Sequence, residues 1–168
     1  MTETTLRAVP VGAERDAYRP LFSRADDSAD EVLAYYQTGT LFALNAPTGE
    51  PVGIVLALDQ PDTTVELKAV AVVESLHGRG VGTRMLRAVL DALRSRGVRR
   101  VVVGTSSSGI GQLAYYQKAG FRPVSIERDY FGPDRGYPPG IVENGTPLRD
   151  MVWMDQDLSP PSGHADRH

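Results

Sequence analysis

Apolar and polar residues change their period several times along this 168-residue chain, and each change predicts an element. The spacing is near helical over residues 12–24, where Ala17, Leu21 and Phe22 recur on one side. It is helical again over 28–36, a segment that Asp27 or Ser28 is suited to cap. Strand-like runs follow at 40–45 and 52–58, on either side of the hairpin loop Ala46-Pro47-Thr48-Gly49-Glu50. The stretch 64–73 alternates at first and then becomes continuously apolar, as a central strand does. Residues 82–96 form the clearest helix. Met85, Leu86, Val89, Leu90 and Leu93 share one face, Arg84, Arg87, Asp91 and Arg94 lie largely outside it, and Gly97 suits the position just past its end. A short strand at 6–9, a buried strand at 99–105, a helix at 110–119 ended by Gly120, and strands at 121–128 and 150–155 complete the pattern.

The resulting order is β-α-α-β-β-β-α-β-α-β-β. Three successive strands before the mid-chain helix are incompatible with a doubly wound sheet. The fold class is therefore α/β in the broad sense (α+β), with a mixed sheet of about seven strands and four helices. One domain is expected over residues 1–157, with 158–168 (LSPPSGHADRH) a disordered tail. Between the last two strands, residues 130–149 make a loop rich in proline and glycine. Loops beyond about 12–15 residues in a compact domain often bind or cover a ligand.

Composition narrows the chemistry. The net charge of −3 supplies no basic field for nucleic acid, so no nucleic-acid partner is expected. Cysteine is absent, which removes disulfides, thiolate metal sites and an acyl-cysteine intermediate. The histidines are His77, His164 and His168, two of them in the tail, and no metal is expected. The N-terminus lacks an apolar signal region, and no apolar run approaches the ~18 residues that a membrane span requires. A cytoplasmic protein without membrane partners is the expectation. A homodimer stays open.

The most informative segment joins the strand 64–73 to the helix 82–96. Between them lies the arc His77-Gly78-Arg79-Gly80-Val81-Gly82. A glycine arc between strand and helix aims backbone N–H groups and the positive end of the helix dipole at one point, where phosphates bind. It is neither the G-x-G-x-x-G loop of dinucleotide-binding folds nor a P-loop.

This arc resembles the signature of the GNAT N-acetyltransferase superfamily, in which Gln or Arg is followed by two residues, Gly, one residue, and Gly or Ala. Gly80 and Gly82 match, and His77 stands in the first position. The element order resembles the family's fold over residues 4–157. A second match is Tyr115-Tyr116-Gln117-Lys118-Ala119-Gly120-Phe121, with Tyr116 at the family's tyrosine position and Gly109 where an Asn is frequent. Ser106, Ser107 or Ser108 could replace that Asn. The strings ERDYF (127–131) and ENG (143–145) resemble a bacterial branch of unassigned substrate.

The resemblance implies a mostly antiparallel sheet and acetyl-CoA as co-substrate. It implies the pyrophosphate on residues His77, Gly78, Arg79, Gly80, Val81 and Gly82, and the pantetheine arm on the backbone of Val70, Ala71 and Val72. It also implies Tyr116 as the acid that protonates the departing thiolate, with the Val72 N–H as donor to the oxyanion. Glu66, six residues before Val72, resembles the general base of the histone acetyltransferase branch. The chemistry needs one. An alkylamine with pKa ~10.4 is about one part in a thousand neutral near physiological pH, and only the neutral form attacks a thioester. A structural reading of Glu66 as the partner of Lys68 stays open beside it.

The implied function is acetyl transfer from acetyl-CoA to a primary amine, a small molecule or a peptide, by direct attack in a ternary complex. Acidic and aromatic residues near the expected acceptor groove (Asp26, Asp27, Asp30, Glu31, Tyr35, Tyr36, Asp129, Tyr130, Phe131, Asp134 and Tyr137) would suit a cationic amine. Two other readings stay open: a non-catalytic CoA-binding sensor on the same fold, and acetylation of aminoacyl-tRNA, against which the acidic balance argues.

Overall fold

The computed structural model describes residues 3–159. Its central element is a seven-stranded sheet, in the order β1-β2-β3-β4-β5-β9-β6. The strands are β1 (Thr5–Val9), β2 (Thr40–Asn45), β3 (Pro51–Gln60), β4 (Thr64–Val72), β5 (Arg100–Ser106), β6 (Arg122–Glu127) and β9 (Met151–Asp157). Only β4 and β5 run parallel; the remaining neighbours are antiparallel. Four α-helices, α1 (Arg19–Ala25), α2 (Ala29–Tyr35), α3 (Val81–Ser95) and α4 (Ile110–Lys118), cover the sheet. This is the mixed, mostly antiparallel sheet expected.

Two cores form on opposite faces of the sheet. One packs Met85, Leu86, Val89, Leu90 and Leu93 of α3, with Tyr116 and Phe121, against Phe42, Val55 and Leu67. The other packs Tyr18, Leu21, Phe22, Val32 and Tyr35 against Leu41, Ala43, Ile54 and Leu56. Because both faces of β2 and β3 are buried, their sequences read as nearly unbroken apolar runs.

The first helical segment departs from the expected single helix. Residues Ala13–Tyr18 form a 3-10 turn, and α1 starts only at Arg19. Pro20 explains the break: it lacks an N–H, its ring excludes a preceding helical turn, and it is tolerated in the first turn of a new helix. The turn also carries Arg15, 1 % exposed, whose guanidinium donates to the carbonyls of Val9, Tyr36, Thr38 and Gly39. Those carbonyls come from β1 and from the chain between α2 and β2, so one side chain ties three segments together. Burial lowers the Arg15 pKa. Next, α2 begins as read: Ser28 is its cap, with Oγ accepting from the Glu31 N–H at 3.2 Å.

The loop 130–149 is more structured than its composition suggests. It holds a 3-10 turn at Pro133–Arg135 and a small hairpin of β7 (Val142–Glu143) and β8 (Thr146–Pro147) turned by Asn144-Gly145. At the other end, Leu158 does not belong to a free tail. It is 2 % exposed, sits in the α3-side core, and its N–H donates to the Arg99 carbonyl at 2.7 Å. The rest of the expected tail, 160–168, lies outside the described residues.

Candidate active site

The site begins where β4 and β5 part. Their parallel pairing runs only from Thr64 opposite Arg100 to Leu67 opposite Val103. Beyond this, β5 continues along β9 to Ser106, while β4 continues along β3 to Val72. The cause is a β-bulge in β4: Leu56 faces Ala69 and Ala57 faces Leu67, leaving Lys68 as the extra residue. A bulge bends its strand, and the bend opens a wedge in the sheet.

The bulge also swaps the faces of β4. Val65 and Leu67 point into the α3-side core, but after Lys68 it is Val70 and Val72 that pack there, while Ala69 and Ala71 turn to the α1–α2 side. A spacing of six would put Glu66 and Val72 on one face of a regular strand. Here they lie on opposite faces. On the wedge side, the β4 backbone from 68 to 72 has no strand partner. The Val73 N–H donates back to the Val52 carbonyl, so alternation along the strand turns the N–H of Val70 and Val72 to the open edge.

A cleft of about 830 Å³ follows that edge. It is lined by Val70, Ala71, Val72, His77, Gly78, Gly80, Val81, Gly82, Tyr115 and Tyr116, along with Arg24 and Asp27. Of the expected anion-binding arc only Arg79 falls outside the lining; it is exposed. The end of the cleft suits an anion. Gly80 is the N-cap of α3 in the left-handed conformation (φ 75°), no side chain caps the helix, and its first turn holds no acidic residue. The first N–H groups of a 15-residue helix are thus left for a ligand. Gly82 lies in that first turn, and a Cβ there would come to 3.4 Å from the Tyr115 hydroxyl. His77 departs from Gln or Arg in identity and plays a structural part. Its Nε2 donates to the Val72 carbonyl at 2.8 Å, fixing the end of β4 to the arc.

The two adjacent tyrosines differ. Tyr115 donates to the Gly82 carbonyl at 2.7 Å, and burial pushes its phenol up to about 12. Tyr116 is 5 % exposed, packs its ring against Tyr115 and Phe121, and makes no side-chain hydrogen bond among the described residues. Burial, and then the neighbouring Tyr115, push its phenol well above the usual range, so it stays protonated at neutral pH. Packing with a backbone bond is thus the situation of Tyr115, not of Tyr116.

Tyr116 also lines a second, smaller pocket of about 150 Å³, to which both β4 and β5 contribute. Arg24, Asp27, Val70, Gln112 and Tyr116 border both. This pocket brings together Glu66 and Lys68 of β4, Asp26 and Asp27, and Tyr130, Phe131 and Tyr137. Glu66 and Lys68 form no ion pair among the described residues; the Lys68 ammonium lies 5.2 Å from the centre of the Tyr35 ring instead. Asp26 is a structural hub, accepting from the Ser28 N–H, Tyr35 Oη and Tyr137 Oη. The Ser28 hydroxyl donates to the Arg135 carbonyl at 2.7 Å, and these bonds hold the 130–149 loop to the α1–α2 corner. Asp129 is paired with Arg149 in solvent, and neither it nor Asp134, Asp30, Glu31, Tyr35 or Tyr36 lines the pocket.

Sequence reasoning noted Glu143 only within the string ENG (143–145) and gave it no role. The β7–β8 hairpin carries it to the pocket, where its Oε1 accepts from the hydroxyls of Ser106 and Ser108. A Cβ on Gly109 would lie 3.3 Å from that oxygen, a tight contact that a small shift of the Glu143 side chain would relieve. The signal was the Asn144-Gly145 pair between short extended dipeptides, the strongest local hairpin motif.

Residues 11–121 match the model of the acetyltransferase (GNAT) family. The chain belongs to the GNAT acetyltransferase family. It is 35% identical over 151 residues to an uncharacterised N-acetyltransferase of Bacillus subtilis, YvbK, covering 89% of this chain and 96% of that protein. The GNAT fold here is close to that of a B. subtilis acetyltransferase solved with CoA: TM-score 0.82 and 32% identity, over 94% of this chain and 100% of the other. A GNAT acetyltransferase from Elizabethkingia anophelis, solved with acetyl-CoA bound, gives a TM-score of 0.82 at 28% identity, over 92% and 97% of the two chains. Among the described residues no helix is long and apolar enough to cross a membrane, and no cluster of His, Asp or Glu is arranged to hold a metal.

Proposed function

We propose that this GNAT protein transfers acetyl from acetyl-CoA to a primary amine by direct attack in a ternary complex. The observation that carries the reading is the junction at Tyr116. One unpartnered phenol borders both a long cleft that ends at the uncapped N-terminus of α3 and a small acidic pocket. Acetyl-CoA supplies the thioester. The α3 N-terminus with Gly78, Gly80 and Gly82 would take its pyrophosphate, and the open edge of Val70–Val72 would take the amides of its arm.

In the transfer, Glu66 takes a proton from the acceptor ammonium, directly or through water. The freed nitrogen lone pair attacks the thioester carbon, and the Val72 N–H steadies the oxyanion. The C–S bond then breaks and the sulfur takes the Tyr116 proton, while the nitrogen's remaining extra proton passes through water to the phenolate and Glu66 returns its own proton to solvent. The burial that raises the phenol also disfavours a bare thiolate, so the donor is not mismatched with its acceptor.

The test is a thermal-shift titration with acetyl-CoA together with a thiol-release screen over amines. A hundredfold excess over Kd should stabilise the protein by about 2.7 kcal/mol. Gly80→Glu should abolish the shift, because a side chain there strains a left-handed residue and sets a carboxylate at the anion site. No shift with wild-type protein would refute the reading. A shift without thiol release from any amine would favour the non-catalytic sensor.

A further inference from the structure

The carboxylates of the small pocket are less well partnered than its cations. Both hydroxyl bonds to Glu143 reach Oε1, and among the described residues no donor reaches Oε2. Asp27 likewise has no side-chain hydrogen bond or ion pair among the described residues. Burial, with Glu143 and Asp26 nearby, raises its pKa, the sign of negative charge left uncompensated. By contrast Lys68 lies over the Tyr35 ring, and Arg24 has a 3.7 Å contact with Glu74. Most of the pocket surface is polar, and Tyr130, Phe131, Leu148 and Met151 also contribute to its lining. Tyr116, a buried residue whose hydroxyl has no hydrogen-bond partner among the described residues, borders the same space.

We propose that Glu143, together with Asp27, binds a second ammonium of the acceptor, so that the substrate class is a small aliphatic diamine. The inference rests on the acetyl-transfer reading above and deepens it. One amine reacts beside Glu66 and Tyr116. The methylene chain lies on the aromatic wall, and the distal ammonium meets the free oxygen of Glu143. A pocket of about 150 Å³ has room for a short chain. Ser106 and Ser108 are the positioning residues: their hydroxyls fix one oxygen of Glu143 and leave the other to the ligand.

The experiment compares putrescine, n-butylamine and γ-aminobutyrate as acceptors in acetyl-CoA-dependent thiol release, with wild type, Glu143→Gln and Asp27→Asn. Wild type should favour putrescine over both others by at least about tenfold in kcat/KM, mostly through KM. Glu143→Gln should erase that preference by raising KM for putrescine, while the acetyl-CoA thermal shift, which reports the other cleft, persists. Asp27→Asn should weaken putrescine in the same direction even if Glu143→Gln folds poorly. Equal use of putrescine and butylamine overturns the proposal. So does a preference for γ-aminobutyrate, which would assign the pocket to Arg24 and Lys68, and so does an equal loss with all three amines in a folded Glu143→Gln. Wild type that turns over other amines but none of these three overturns the diamine assignment alone. Failure to bind acetyl-CoA, or to use any amine, overturns the reading beneath it as well.

Discussion

The Tyr115 hydroxyl donates a 2.7 Å hydrogen bond to the carbonyl of Gly82, joining α4 to the first turn of α3. That bond holds the two helices on either side of the long cleft at a fixed separation. It also leaves the next residue, Tyr116, as the phenol without a protein partner at the junction with the acidic pocket.

The two tyrosines should therefore separate in mutation. Tyr116→Phe is expected to lower kcat by about tenfold or more with acetyl-CoA affinity close to wild type, because the proton moves along the reaction coordinate and not on binding. Tyr115→Phe is expected to cost about 1 kcal/mol of stability with kcat retained. Steady-state kinetics beside urea denaturation would check both. An unchanged kcat in Tyr116→Phe would reduce that residue to packing.

Glu66 should act through pH. A free carboxylate that accepts the amine proton makes kcat/KM rise with pH along a limb of the profile. Glu66→Gln should flatten that limb and lower kcat/KM by about a hundredfold near neutrality, with partial rescue at high pH as more acceptor becomes neutral in solution. Lys68 is engaged with the Tyr35 ring, so loss of a Glu66–Lys68 pair would not account for such an effect. A mutant that keeps the wild-type profile at every pH would remove Glu66 from the mechanism.

The tyrosines around Asp26 should set an alkaline limit to stability. Tyr35 and Tyr137 donate to the Asp26 carboxylate at 3.0 and 2.6 Å. Burial first, and then Asp26, raise both phenols far above their ordinary value of 10.0. Raised folded-state values mean that their contribution is complete below the unfolded value of about 10 and is lost progressively as pH rises above it. Thermal denaturation from neutral to strongly alkaline pH should show that decline. Tyr137→Phe should be less stable at neutral pH by about 1–3 kcal/mol and decline less steeply. Parallel curves for wild type and mutant would contradict the account.

Local chemistry alone determined much of this protein. The apolar period placed three of the four helices and the seven strands of the main sheet within a few residues, because each element must turn one or both faces to a core; the start of α1 was displaced to Arg19. The glycine turn before α3 was legible because a left-handed cap such as Gly80 favours a residue without a side chain, and the place of Tyr116 because its spacing from Gly120-Phe121 is local. Tertiary structure decided the rest. The bulge at Lys68 exists only through the pairing of β4 with β3, and it alone put Glu66 and Val72 on opposite faces and opened the wedge. Glu143 reached the pocket by a hairpin that docks on Ser106 and Ser108, while Asp129 and Asp134, equally acidic and nearer Tyr130 and Phe131 in sequence, stayed outside. Period and turn propensity are properties of neighbouring residues. Which carboxylates share a pocket depends on strand register and on contacts between distant segments, and no local pattern encodes them.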